Sequence, residues 1–260
     1  MRVKKHAGAD TAAASDQVAI ASRGPKPAHT SAKIAEAAVR IADAEGIEAA
    51  SMRRVAAELG SGAASLYRYV ANKSELFDLM IDAVLGEDPL PKRSGNWRTD
   101  FRKVAALSRD LMLRHPWMVT VSSFRVTQGT NMLRWMEFSL SAIDRLGLDI
   151  DEMLVLSNTL FTYARGYAAG EIGEREASRR SGLSRDEWIM GRAAYVRALK
   201  DSDRFPMFTR VVDEAKAPHD PAIEERGFKL GLEHILDGFA VALAGQRSPS
   251  KRRPRSPKMS

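Results

Sequence analysis

The chain has 260 residues, of which 44% are hydrophobic and 28% charged, as is ordinary for a globular protein with a hydrophobic core. It contains no cysteine, which excludes a disulfide framework, a thiolate nucleophile and a cysteine-based zinc site. It has no run of about 18 apolar residues, and residues 1–20 lack the continuous apolar stretch of a signal peptide. We therefore expect a cytoplasmic protein with no membrane partner.

The net charge of +7 is concentrated at the two ends of the chain. Residues 245–260 hold six basic side chains and no acidic one, whereas the middle of the chain is mildly acidic. This distribution is typical of a protein that binds a polyanion through its ends. The alternative is that the tail only improves solubility. We expect residues 1–29 to be a disordered basic arm and residues 246–260 a disordered basic tail.

From residue 30 onward the spacing of apolar residues is helical, and no convincing run has the two-residue alternation of a β-strand. The first helix is predicted over residues 30–46, and two short helices follow. A fourth begins at Asn72, where Asn72 and Glu75 form the pattern of a capping box. Prolines and a glycine in residues 88–96 mark a domain boundary. Further helices are predicted at residues 97–114, 131–146, 151–173, 184–199 and 221–244.

Residues 51–70 have the pattern of a helix-turn-helix. Ala56 on the inner face of the first helix would let the second helix cross closely, and Gly60 would supply the positive φ that ends the first helix. Small residues then open the second helix, so that its N-terminus can enter a DNA major groove about 12 Å wide. Leu66 and Val70 would face the core. Three residues would stay near the surface and suit phosphate and base-edge contacts: Tyr67, Arg68 and Tyr69. The alternative is an ordinary helical hairpin.

The segment SMRRVAAELGSGAASLYRYVANKSEL, residues 51–76, resembles the signature of the tetracycline-repressor (TetR) family of bacterial regulators. Its most distinctive part is LYRYV followed by Asn72 and Lys73. The C-terminal part is similar to the tetracycline-repressor-like C-terminal class, with FKLGLEHILDGF resembling the last helix of that class. The resemblance implies an all-α protein. An N-terminal three-helix helix-turn-helix DNA-binding domain would occupy residues 30–87, and a larger effector-binding and dimerisation domain residues 96–245.

The resemblance also implies which residues contact DNA. They are Arg53 in the first helix of the motif, Ala63 and Ala64 at the groove-facing start of the second, Tyr67, Arg68 and Tyr69 after them, and Lys73 at a phosphate near the next helix N-terminus. Met52 would lie beside Arg53. Ser61 stands where the family usually has an aliphatic residue, so we expect that turn to pack less well. Because alanine side chains cannot donate hydrogen bonds, base recognition would depend on Arg53, Tyr67, Arg68 and apolar contacts with thymine methyl groups.

Aromatic residues and methionines are concentrated between residues 97 and 167. Such a cluster can be a plain core, or it can be an adaptable pocket, since methionine tolerates varied ligand shapes. The resemblance favours a pocket for a small, largely apolar effector. The residues that we expect to line it are His115, Trp117, Phe124, Trp135, Phe138, Asn158 and Phe161.

The predicted helices at residues 151–173 and 221–244 have apolar stripes that suit a four-helix bundle formed by two copies of the chain. Glycines 227, 231 and 238 in the last helix would let a partner helix approach closely. The interface residues that this predicts are Leu154, Phe161, Ala168, Phe228, Leu232, Ile235 and Phe239. The alternative is burial inside one chain. A homodimer would place two DNA-binding domains in successive major grooves of a pseudo-palindromic operator.

Three classes of function are compatible in principle with such a chain. The first is a DNA-binding regulator, most often a repressor, that a small effector releases from its operator. The second is a DNA-binding regulator or architectural protein without a ligand, or an activator. The third is an enzyme, which the sequence disfavours because it has no phosphate-binding glycine loop and its five histidines lack metal-ligand spacing. We expect no cofactor, no metal and no catalytic residue.

Overall fold

The computed structural model describes residues 29–121, 129–202, 204–215 and 221–246. Twelve α-helices form within these ranges and no β-strand does, so the all-α prediction is confirmed. The helices are α1 (Ser31–Glu45), α2 (Met52–Glu58), α3 (Ala63–Leu66), α4 (Lys73–Leu85), α5 (Trp97–Arg114), α6 (Met118–Val121), α7 (Thr130–Ile143), α8 (Ile150–Ser181), α9 (Arg185–Met190), α10 (Ala193–Asp201), α11 (Pro206–Glu214) and α12 (Pro221–Gln246).

Helices α1 to α4, called here the head, pack around one end of a hydrophobic core that continues into the rest of the chain. The α1 helix begins at Thr30, whose hydroxyl accepts a hydrogen bond from the Lys33 backbone N–H at 3.2 Å. Its buried face, which includes Ile34 and Ile41, packs against α4. Leu66 of α3 is fully buried in the same core, so the short α2–α3 pair is fixed on the α1–α4 frame.

Helices α5 to α12, called here the body, are organised around α5 and α8, with α7 and α12 packed against this pair. Phe101 of α5 is fully buried, edge-on to Trp97 at 6.0 Å and to Phe239 of α12 at 6.5 Å between ring centroids. Arg102 donates to Glu233 of α12, with Nη2 2.7 Å from Oε2. Hydrogen bonds from Arg102, and secondarily from Arg98, lower the pKa of Glu233 to about 2, so α12 is tied to α5 by charge as well as by apolar contact.

The predicted helix positions differ from the structure mainly in the second half of the chain. The predicted helix at residues 151–173 continues to Ser181, and the one at residues 184–199 is divided into α9 and α10 at Gly191. Helices α6 and α11 were not expected from the pattern. Both are short, and both begin near a proline. Proline is favourable in the first turn of a helix, but in sequence analysis it usually indicates the end of one.

Candidate nucleic-acid interface and internal cavity

The turn between α2 and α3 is closed by hydrogen bonds. Ser51 caps α2 by accepting from the Arg54 N–H at 3.2 Å, and Gly60 after the helix has a φ of 63°. The Ser61 N–H donates to the Ala56 carbonyl at 2.8 Å. The hydroxyl at Ser61, where an aliphatic side chain was expected, also lies within hydrogen-bond distance of the Ser65 hydroxyl. Polar contacts therefore replace the apolar packing of this turn.

Five of the seven predicted DNA-contacting residues are exposed: Arg53, Ala64, Tyr67, Arg68 and Lys73. Tyr67, at the C-terminal end of α3, is 54% exposed. Within the described part of the chain, neither arginine forms an ion pair, so both guanidinium groups are available to phosphate or base edges.

Three other residues of the motif are half-buried or buried rather than exposed. Ala63 and Tyr69 are half-buried and pack against the core of the head. Met52 is buried, which corrects the expectation that it lies beside Arg53 at the DNA. The α3 helix is one turn long, Ala63–Leu66, and the residues after it form a turn rather than a longer helix.

Lys73 lies at the first position of α4, where a phosphate contact was predicted. Its ammonium group is 3.0 Å from the Glu48 carboxylate and 5.3 Å from the centre of the Phe77 ring. Both partners of this ion pair are solvent-exposed, so the pair is weak and a phosphate could displace Glu48.

Only one of the two hydrogen bonds of the predicted capping box forms between Asn72 and Glu75. Asn72 accepts from the Glu75 N–H, but Glu75 accepts from the Ala71 N–H at 2.6 Å rather than from that of Asn72.

A cavity of about 350 Å³ lies in the body among α5, α7 and α8. Leu85, at the end of α4, and Met118 of α6 also border it. Its wall is mainly apolar, with methionines 112, 118, 132 and 136 beside two aromatic rings. No charged side chain is among the described residues that line it.

A few polar groups interrupt this wall: Ser108, Ser139, Ser157 and Asn158. The Ser157 hydroxyl oxygen is buried and has no hydrogen-bond partner among the described residues, so it can accept or donate a bond to a molecule in the cavity. The Ser139 hydroxyl donates to the Trp135 carbonyl at 3.0 Å and keeps its acceptor capacity.

The predicted pocket residues separate into two groups. Trp135, Asn158 and Phe161 line the cavity. His115, Trp117 and Phe138 do not, which corrects the prediction. His115 and Trp117 bind carboxylates where the head meets the body, and Phe138 borders a shallow surface depression beside Leu90. Phe124 lies outside the described residues. The methionines indicated the cavity more reliably, because all four that line it belong to the cluster of methionines and aromatic residues between residues 97 and 167.

Four of the predicted interface residues are buried inside a single chain: Ala168, Phe228, Leu232 and Phe239. They cannot form the contact surface of a second copy, because Phe228, Leu232 and Phe239 of α12 and Ala168 of α8 are buried in the core of the single chain. Leu154 and Phe161 border the cavity, and Ile235 is half-buried against the core. For these four residues, the alternative prediction of burial within one chain is therefore correct.

Gly231 of α12 is required by a contact within the single chain. A Cβ atom at this position would lie 2.3 Å from the hydroxyl oxygen of Tyr163. That hydroxyl donates to the Phe228 carbonyl at 2.7 Å, and burial raises the pKa of Tyr163. The glycine therefore admits a tyrosine of the same chain rather than a helix of a partner.

A helix-turn-helix with exposed arginine and tyrosine side chains, carried by a helical body with an internal cavity, defines the class of DNA-binding transcription regulators. The chain belongs to the TetR family. Residues 34–80 match the family described as "Bacterial regulatory proteins, tetR family", and residues 89–243 match "Tetracyclin repressor-like, C-terminal domain".

Relatives of the chain are regulators. It is 39% identical over 231 residues to the HTH-type transcriptional repressor DrrR1 of Streptomyces coeruleorubidus, covering 88% of this chain and 84% of DrrR1. Because such relatives are regulators, the prediction that the chain is not an enzyme is confirmed. No described helix is long and apolar enough to cross a membrane.

Two solved structures are informative. ActR of Streptomyces coelicolor in complex with actinorhodin has a TM-score of 0.67 and 29% identity, covering 82% of this chain and 96% of ActR. BioQ with its double-stranded DNA operator has a TM-score of 0.51 and 26% identity, covering 60% of this chain and 94% of BioQ.

Proposed function

We propose that this DNA-binding regulator is a homodimeric repressor that leaves a pseudo-palindromic operator when a small, uncharged and largely apolar effector occupies the body cavity. The observation that carries the proposal is the position of the cavity, which is bordered by Leu85 of the head helix α4. Support also comes from the relatives, since DrrR1 is named a repressor and ActR has been solved in complex with actinorhodin.

The chemistry of the cavity wall restricts the effector. An ion buried among methionine and aromatic side chains without a charged partner would cost several kcal/mol, so an uncharged molecule is favoured. The Ser108, Ser157 and Asn158 side chains would bind hydroxyl or carbonyl oxygens of such a molecule. Methionines would adapt to its apolar part.

Contacts between α4 and α7 provide the link from the cavity to the head. The Trp135 indole N–H donates to the Leu85 carbonyl at 2.9 Å, and both residues line the cavity. One turn earlier in α4, the Asp82 carboxylate accepts from the Met132 N–H at 2.9 Å. An effector that displaces Trp135 or Met132 would therefore move α4 and, with it, the α2–α3 pair.

A leucine at position 157 would test the role of the cavity. Ser157→Leu adds apolar volume at the wall, so DNA binding should persist while an effector no longer releases the DNA. Ser178→Leu makes the same change farther along α8, away from the cavity, and should respond as the wild type does. A thermal-shift screen of uncharged hydroxylated aromatic compounds would supply the effector. Full release of DNA from Ser157→Leu by such a compound would contradict the proposed site.

Exposed apolar residues on α8 and α12 support the dimer. Val155 and Ile150 lie on α8, and Leu230 and Val241, the latter 73% exposed, lie on α12. We expect a dimer in sedimentation at micromolar concentration, and we expect Leu230→Asp combined with Val241→Asp to shift it toward monomer. Leu133→Asp, an exposed position on α7, serves as the control. A wild-type protein that sediments as a monomer would contradict the dimer.

A further inference from the structure

His115 occupies the place where the head meets the body. It caps the C-terminal end of α5 and is only 7% exposed. Its Nδ1 lies 2.9 and 3.1 Å from the two carboxylate oxygens of Asp43, in the last turn of α1. Its Nε2 lies 3.0 Å from Oε2 of Glu87, two residues after α4. One imidazole ring thus joins the end of α5 to the ends of both long helices of the head.

The number of protons on the imidazole ring decides how many of the two contacts it can make. A carboxylate oxygen can only accept a hydrogen bond, so each ring nitrogen must carry a hydrogen to bind its partner. The imidazolium form has two N–H groups and makes both bonds. Either neutral tautomer has one, and its other nitrogen then directs a lone pair at a carboxylate. Loss of one proton therefore breaks one of the two connections.

The surrounding groups are mostly acidic. Arg114 binds Glu87 at 2.9 Å, contacts Asp88, and lies 3.3 Å from Asp110 of its own helix. The Trp117 indole N–H donates to the Asp43 carboxylate at 2.7 Å. Three carboxylates thus contact one arginine and a fourth, that of Asp43, contacts none among the described residues, so a positive imidazole ring balances part of the remaining negative charge.

We propose that His115 is a proton-dependent clamp that fixes the orientation of the head on the body only when its ring carries two N–H groups. The clamp lies between the two functional parts of the molecule, because Met118, three residues after His115, lines the cavity. Histidine changes charge between about pH 5 and 8. The head is therefore held more firmly when both ring nitrogens carry a hydrogen than when only one does, and DNA binding that needs fixed heads is stronger in the doubly protonated form.

Nuclear magnetic resonance of isotope-labelled histidine would test the protonation step in the full chain. Only five histidines are present, and His115→Gln assigns the signal. We expect the His115 ring to show two bound hydrogens at the acidic end of a pH series and one at its basic end, the series spanning the range of about pH 5 to 8 in which histidines change charge. A ring that is neutral throughout this range would overturn the proposal, and this measurement on the wild type does not depend on any variant folding.

DNA binding would test the consequence. The probe is a duplex that carries a site selected from a random DNA pool. The ratio of Kd at the basic end of the same pH series to Kd at its acidic end should be about threefold larger for the wild type than for His115→Gln, which keeps one donor but cannot be protonated. Lys103→Gln, at an exposed position of the same helix α5, is the control for a glutamine substitution and should keep the wild-type ratio. Equal ratios for the wild type and His115→Gln would overturn the clamp.

Discussion

Replacing Tyr67 with alanine should weaken binding to the specific DNA site by about tenfold or more, without unfolding the head. Tyr67 is largely exposed at the end of α3, so little packing energy depends on its ring. The two alanines that open α3 cannot donate hydrogen bonds from their side chains, and the half-buried Ser65 hydroxyl donates to the Gly62 carbonyl, which leaves Tyr67 and its neighbour Arg68 as the exposed polar groups. A mobility-shift titration combined with a thermal melt would measure both quantities.

Tyr195→Ala is the matched control for this change. Tyr195 is a tyrosine of similar exposure, 64%, on α10 of the body. We expect it to leave the affinity for DNA unchanged. If Tyr67→Ala binds the selected site as tightly as the wild type does, α3 is not the recognition helix.

Phe101→Ala should lower the free energy of unfolding by about 3–5 kcal/mol, the range for removing a buried phenylalanine ring. The ring contacts Trp97 in its own helix and Phe239 in α12, so its loss leaves a cavity where α12 joins α5. Urea unfolding followed by circular dichroism would measure the change.

Phe205→Ala, at an exposed phenylalanine before α11, should change the unfolding free energy by less than about 1 kcal/mol. A similarly small loss for Phe101→Ala would contradict the packing of α12 inside a single chain. That packing is the basis for removing Phe228 and Phe239 from the predicted dimer interface.

The head could be predicted almost completely because its signals are local. Thr30, Ser51 and Asn72 each accept a hydrogen bond from a backbone N–H three residues later, so a cap can be recognised within four residues of sequence. Gly60 has the positive φ that the turn requires. Exposure of Tyr67 and Arg68 followed from placing Leu66 in the core.

The body was harder to predict because its contacts are distant in sequence. An apolar stripe on a helix shows that the face is covered, but it does not show whether the cover is the same chain or a second copy. Phe228 and Leu232 have the same pattern in either case. His115 stands among aromatic residues and was expected in the pocket, whereas its partners Asp43 and Glu87 lie 72 and 28 residues away.

Selection of bound sequences from a random DNA pool, performed with and without a compound that stabilises the protein, tests the central claim most directly. An effector-released homodimer should enrich a pseudo-palindrome whose half-sites are about 10 base pairs apart, or a multiple of that spacing, and the compound should abolish the enrichment. Enrichment of an asymmetric site, or of the same palindrome at undiminished strength when the compound is bound, would contradict the account.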